Sequence, residues 1–166
     1  MKRNFKYEIR LARDNDFAAI ARLHRQTIRH INSKDYPKKM IDVWSKRTRA
    51  HRFRRNASKC KRWVAVKNDK VVGFCDHNFS CELWGLYVHK DYLKQGIGSR
   101  LLKTAEKSIL KSGCKKITIK ASITAEDFYK KYGYKFVKKS FHQMGSIKLP
   151  IIIMNKKIFG FPPARK

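Results

Sequence analysis

The sequence predicts a mixed α/β (α+β) domain built on one mostly antiparallel central sheet. Three observations carry that reading. Alternating apolar and polar residues mark strand segments along the whole chain, two connections between them are hairpin-short, and apolar residues at helical spacing intervene at three places. A chain of 166 residues suffices for one core. The expected layout is a single domain over residues 1–158 and an extended basic tail over 159–166.

Taken in order, Tyr7, Ile9 and Leu11 alternate with Glu8 and Arg10 and predict a half-buried strand. Asp14 or Asn15 can cap the helix that follows, in which Phe17, Ile20, Leu23, Thr27 and Ile31 share a face over residues 15–31. A second helix is expected from Pro37 to Trp44, and the basic segment Lys46 to Arg62 connects this pair to the sheet. Trp63–Val66, a turn at Asn68-Asp69 and Val71–Cys75 form a hairpin, with Cys81–Val88 as the next strand. Ile97, Leu101, Leu102, Ala105 and Ile109 line one face of a central helix that Gly113 stops. Lys115–Lys120 alternates as a strand, and Thr124 with Asp127 has capping-box spacing before a short helix ended by Gly133. Strands from Tyr134 to about Phe141 and from Leu149 to about Met154, turned at Gly145-Ser146, close the chain.

Composition narrows the function classes. With 42% apolar and 12% aromatic residues the chain is no disordered tail, despite a formal charge of +29. No apolar run approaches the roughly 18 residues of a membrane span, and the basic amino end leads into a charged strand pattern, not the apolar core of a secretory signal. A cytoplasmic location is therefore expected. Cys60, Cys75, Cys81 and Cys114 lack CxxC spacing and are read as reduced and structural. The charge draws polyanions of every kind, including nucleic acid and the phosphates of a cofactor. It is densest from Lys46 to Arg62, a run without an acidic residue, which is either a docking patch or a solvated loop.

The chemistry concentrates at Leu86-Tyr87-Val88 and the turn Leu93-Lys94-Gln95-Gly96-Ile97-Gly98-Ser99-Arg100, a strand, a glycine-bearing turn and a helix start. Backbone N–H groups converge in such a turn with the positive end of the helix dipole behind them, a site for phosphate. It is neither a nucleotide P-loop nor a dinucleotide fingerprint, because GxxxxGK[ST] and GxGxxG are both missing.

The stretch Glu82 to Leu102, followed by Ala121 to Tyr134 with Phe128-Tyr129-Lys130-Lys131-Tyr132-Gly133-Tyr134, resembles the GNAT superfamily of N-acetyltransferases. The first region resembles its pyrophosphate loop, [Q/R]xxGx[G/A], and the second its FYxKxGF element. The derived order of elements matches that family nearly end to end. The resemblance implies a GNAT-like sheet of about six to seven strands with helices on both faces, and acetyl-CoA as acyl donor. It implies that Leu86, Tyr87 and Val88 face the pantetheine arm, and that Lys94, Gln95, Gly96, Ile97, Gly98, Ser99 and Arg100 surround the phosphates. Leu93 stands where relatives usually carry Gln or Arg, which leaves phosphate binding to backbone amides and to neighbouring Lys94, Gln95 or Arg100. Ser122 stands where many relatives carry an Asn that touches the cofactor arm.

By the same resemblance, Tyr129 is the general acid that protonates the departing thiolate, and its alternative role is packing against cofactor and sheet. Glu82 is the leading general base. It lies about 13 Å along the strand from the expected thioester, so it acts through water, and an ion pair with a nearby cation is its alternative role. Asp76 and His77 are second choices, and His24, His30, His51 and His142 have no metal-ligand spacing. The expected activity is direct acetyl transfer from acetyl-CoA to a primary amine, on a small molecule or a peptide, in a ternary complex. A catalytically inactive acyl-CoA-binding or RNA- or ribosome-associated module on the same fold remains open. The positive surface should make a lysine-rich peptide a poor substrate. Relatives are often dimers, and a homodimer is one option here.

Overall fold

A computed structural model describes residues 7–160. The elements are β1 (Glu8–Leu11), α1 (Phe17–His30), α2 (Lys38–Lys46), α3 (Ala50–Arg55), β2 (Cys60–Lys67), β3 (Lys70–Asn78), β4 (Glu82–Val88), α4 (Ile97–Lys111), β5 (Lys116–Ser122), α5 (Glu126–Lys131), β6 (Lys135–Met144) and β7 (Ile147–Lys157). The seven strands form one sheet in the order β1-β2-β3-β4-β5-β7-β6, in which only β4 and β5 run parallel. Both hairpins form where expected, with Asn68 and Asp69 at φ 48° and 61° in the first and Gly145 at φ 57° in the second.

The core divides by layer. Leu101, Leu102, Ala105 and Ile109 of α4 bury against Ala65, Val72, Cys75, Leu83, Ile117 and Ile119 of the strands. Phe17, Ile20 and Leu23 of α1 pack with Phe53, Val64 and Phe74, and Ile41 and Trp44 of α2 pack with Leu149 and Ile151 of β7. Each helix buries one stripe, as its sequence period requires.

Four local expectations are corrected. The basic connection contains the helix α3, because Phe53 is buried against Phe74 and tertiary packing stabilises a turn of arginines that has little intrinsic pattern. Neither Asp14 nor Asn15 caps α1; Asp16 sits there and accepts instead from Arg10 and from the Arg13 backbone N–H. Thr124 makes no capping box, since the cap of α5 is Ala125 and the Thr124 hydroxyl is buried without a partner. Cys81 and Cys114 are not thiols but a disulfide, with Cα atoms 5.8 Å apart, whereas Cys60 and Cys75 are free and buried. Their separation of 33 residues hid the pairing, and the chain folds it shut by bringing the start of β4 beside the start of β5. The expected tail lies outside the described residues from 161 onward.

Candidate active site

The site begins with a break in the sheet. β4 and β5 pair only at Glu82 with Thr118 and Leu83 with Ile119, and then part. A register shift between Asp76 and His77 bends the β3–β4 ladder at the same level, which turns β4 away from its neighbour. Because the His89 N–H donates to Val72 O, strand alternation aims Tyr87 at β3 and aims the backbone groups of Leu86 and Val88 into the gap.

A cavity of about 690 Å³ opens there, walled by Leu86, Tyr87 and Val88 on one side and Ser122, Phe128 and Tyr129 on the other, and it runs to Lys94, Gly96, Ile97, Gly98 and Ser99. Lys94 and Gly96 take positive φ, 60° and 80°, and this turn delivers the chain into the N-terminus of α4. Arg100 donates back to Gly96 O, so the first intrahelical bond leaves the N–H groups of Ile97, Gly98 and Ser99 directed outward. A Cβ on Gly98 would stand in contact with the Phe128 ring at 3.4 Å and with Leu86, between two residues that wall the cavity, so the bare glycine keeps that space open. These are the features a pyrophosphate-bearing acyl donor requires, and the residues present fit it.

Two predicted cofactor residues stand apart from this cavity. Gln95 turns its amide to Asp91 O at 3.5 Å, and Arg100 is exposed with its guanidinium over the Tyr7 ring at 4.9 Å. Lys94 is the side chain of the turn that borders the cavity, and Lys131 borders it from α5. Ser122 Oγ accepts from Asn32 Nδ2 at 3.3 Å. Asn32 is a residue the sequence did not single out. It is 3% exposed, borders the cavity and has an Oδ1 without a partner, an acceptor suited to an amide N–H of the pantetheine arm.

A second cavity, about 360 Å³, shares Tyr87 and Ser122 with the first. Its walls are apolar, from Trp44, Phe53, Phe74, Leu83, Met144, Leu149 and Ile151, and its polar and charged side chains include Asn56, His24, Arg52, Arg62, Asp76, Glu82, Lys120 and His142. The sequence missed Arg52 as a cavity residue, because a basic run carries no sign of which member faces inward. Gly85 matters here: a Cβ would lie 2.8 Å from the Tyr87 ring, so only the bare backbone lets that ring pack against β4 beside Asp76.

Tyr129 is 2% exposed and borders the cofactor cavity, and burial pushes its phenol well above the ordinary value, which keeps it protonated. Glu82 borders the second cavity, where Asn78 Nδ2 donates to it at 3.2 Å and Lys120 Nζ stands 3.5 Å away. Asp76 also borders that cavity, whereas His77 is buried with its Nδ1 at the Asn78 carbonyl and lines neither. Tyr132 is half-buried and borders the cofactor cavity. Among the described residues no cluster of His, Cys, Asp and Glu could hold a metal, and no helix is long and apolar enough to cross a membrane.

A gap opened by a strand splay, a phosphate turn at one end and a shared wall to a second cavity define an acyl-CoA-dependent transferase. The acetyltransferase (GNAT) domain model matches residues 32–157, and the chain belongs to that family. It is an acyltransferase that takes acetyl-CoA as donor. The chain is 29% identical over 135 residues to the uncharacterized N-acetyltransferase YafP of Escherichia coli K12, covering 80% of this chain and 83% of that one. Among solved structures, a GCN5-related N-acetyltransferase from Rhodopseudomonas palustris superposes with a TM-score of 0.87 at 24% identity, over 91% of this chain and 95% of that one. The PaiA N-acetyltransferase from Thermoplasma acidophilum, solved with coenzyme A, gives 0.76 at 23% identity over 93% and 100%. At these identities both likenesses bear on the fold alone.

Proposed function

We propose that the protein moves the acetyl group of acetyl-CoA directly to a primary amine, with both substrates bound together. The observation that carries this reading is the wall of Tyr87 and Ser122 common to the two cavities, which lets an amine in one reach a thioester in the other. When bound, acetyl-CoA supplies the activated acyl group. The Leu86 and Val88 backbone groups face the gap, and an N–H there polarises the acyl carbonyl. The amine nitrogen bonds to the acyl carbon as the C–S bond breaks. Glu82 takes the amine proton through water, and the Tyr129 hydroxyl protonates the thiolate. No covalent adduct with the enzyme is needed.

Two measurements test this. Melting temperature with saturating acetyl-CoA, against matched ADP and polyphosphate at moderate salt, should rise with acetyl-CoA alone by the equivalent of about 2.7 kcal/mol at a hundredfold excess over Kd. Thiol release with an amine panel should then give intersecting initial-velocity patterns. Parallel lines, or an acetylated protein in the mass spectrum, would contradict direct transfer.

The reading places the enzyme in the cytoplasm, a compartment in which the Cys81–Cys114 bond is exposed to reduction. A polyanion-docking role in addition is favoured by Arg49, Arg54, Arg55, Lys59 and Lys61, which are all exposed. A steep salt dependence of RNA binding would support it, and a flat one would remove it.

A further inference from the structure

The acceptor-side cavity carries an imbalance that narrows the substrate. Its walls are aromatic and aliphatic, and its one buried ion pair is closed on itself: Arg62 Nε and Nη2 both donate to Asp76 Oδ2. Glu82 is matched by Lys120. Arg52 borders the same cavity and is only partly exposed, and among the described residues its guanidinium has neither a carboxylate within 4.0 Å nor a hydrogen bond. A guanidinium held half out of water without a partner is costly, and it is the group of choice for binding a carboxylate or phosphate in a forked contact. The surroundings agree. Burial lowers the Arg52 pKa, with Arg47 and Arg55 adding to it and Tyr87 and Asp76 opposing it, and His142 at the cavity is lowered by burial and then by Lys120, Arg52 and Arg47. Asp76 also borders the cavity, and its Oδ1, which takes neither of the Arg62 bonds, offers the complementary charge for an ammonium.

Resting on the proposed acetyl transfer, we infer that the acceptor is a small amine with an aromatic or bulky apolar body and an acidic group, and that Arg52 is the counter-ion for that group. The two charges of such an acceptor meet Asp76 Oδ1 and Arg52, and its body fills the volume of about 360 Å³ between Trp44, Phe53 and Ile151. A polycationic peptide meets the wrong sign at Arg52 and Lys120.

The test is a set of matched amines at fixed acetyl-CoA: phenylalanine against phenethylamine, and 4-(aminomethyl)benzoate against benzylamine, with a lysine-rich peptide alongside. At least one acid should exceed its neutral partner roughly tenfold or more in kcat/KM, the size of one charge-assisted hydrogen bond. In Arg52→Gln that ratio should collapse toward one, chiefly through KM. Binding of the products is read separately: N-acetylphenylalanine should raise the melting temperature of the wild type more than N-acetylphenethylamine does, and Arg52→Gln should erase the difference. Neutral amines or the lysine-rich peptide used as well as the acids would overturn the inference and leave acetyl transfer standing. No turnover of any amine would overturn the transfer reading, and the product-binding comparison would then decide the Arg52 assignment by itself.

Discussion

Arg62 and Asp76 face each other across the β2–β3 ladder, and two nitrogens of the guanidinium, at 2.9 and 2.8 Å, converge on the single oxygen Oδ2. Arg62 also donates to Phe53 O and lies over the Phe53 ring at 4.9 Å, so the pair fastens α3 to the sheet. Burial pushes the Asp76 carboxyl up and Arg62 pulls it back down. Removing one partner leaves a buried charge unmatched. Arg62→Met should therefore destabilise the fold by about 3–5 kcal/mol, whereas Arg62→Met with Asp76→Leu should lose much less. Urea unfolding of the three proteins checks this, and equal losses in single and double variants would show that the pair is not coupled.

Tyr129→Phe separates acid catalysis from packing. The phenol is buried against Phe128 and Tyr134 and burial raises its pKa, so at neutral pH it carries the proton that the departing thiolate takes up. Removing the hydroxyl alone should lower kcat by about 10²–10⁴-fold with acetyl-CoA affinity kept. Steady-state kinetics with calorimetric acetyl-CoA binding reads both. An unchanged kcat would assign Tyr129 to packing.

The succession of elements along the chain and the glycine-bearing turn before α4 were legible because they rest on local signals: period-two alternation, the Asn68-Asp69 and Gly145-Ser146 turns, and glycines before an amphipathic helix. What escaped the sequence depends on contacts between distant segments. α3 is a helix because Phe53 finds Phe74, Asn32 enters the site by bonding Ser122 across 90 residues, and Cys81 meets Cys114 only after β4 and β5 align. Arg52 and Arg62 sit in one uniform basic run, and only the packed fold tells the buried ion pair from the cavity cation and both from the solvated remainder. Gln95 and Arg100 are placed around the phosphates by the family resemblance; in the fold Gln95, in the turn before α4, donates to Asp91 O and Arg100 lies over the Tyr7 ring, and neither lines the cavity.

His24 makes stability fall on mild acidification. Its ring is enclosed by Tyr87, Phe74, Phe53 and Trp44, both ring nitrogens are hidden without partners, and burial together with Arg52 and Arg62 pushes its pKa down to about 3. Between the ordinary value of 6.5 and about 3 the unfolded chain binds a proton that the folded one refuses, so stability is full above 6.5 and declines as pH drops. From pH 6.5 to 5 the loss from this group is about 2 kcal/mol. His77 and His142, also lowered, act in the same direction. Melting temperatures of wild type and His24→Phe from pH 7.5 to 5 should diverge, with the flatter curve in the variant. Parallel curves would mean that His24 is protonated in the folded state.

The Cys81–Cys114 bond stands where the sheet begins to open. β4 and β5 are joined by only two residue pairs, Glu82 with Thr118 and Leu83 with Ile119, and the disulfide ties the segments just before both strands, beside the bond from the Thr118 N–H to Cys81 O. Closing a loop of 33 residues in the unfolded chain should stabilise the fold by about 3–4 kcal/mol. Cys114→Ser should lose that amount under oxidising conditions and almost nothing beside a wild type kept in reductant. Thiol counting decides whether the bond is present: the unfolded oxidised protein should alkylate at Cys60 and Cys75 alone, and these two are otherwise shielded, with burial pushing the Cys60 thiol up to about 11. Because the same two strand pairs hold the apex of the gap, reduction should also weaken acetyl-CoA binding at the Leu86–Val88 wall. Unchanged affinity after reduction would show that the bend at Asp76 and His77 holds the strands apart without help from the sulfurs.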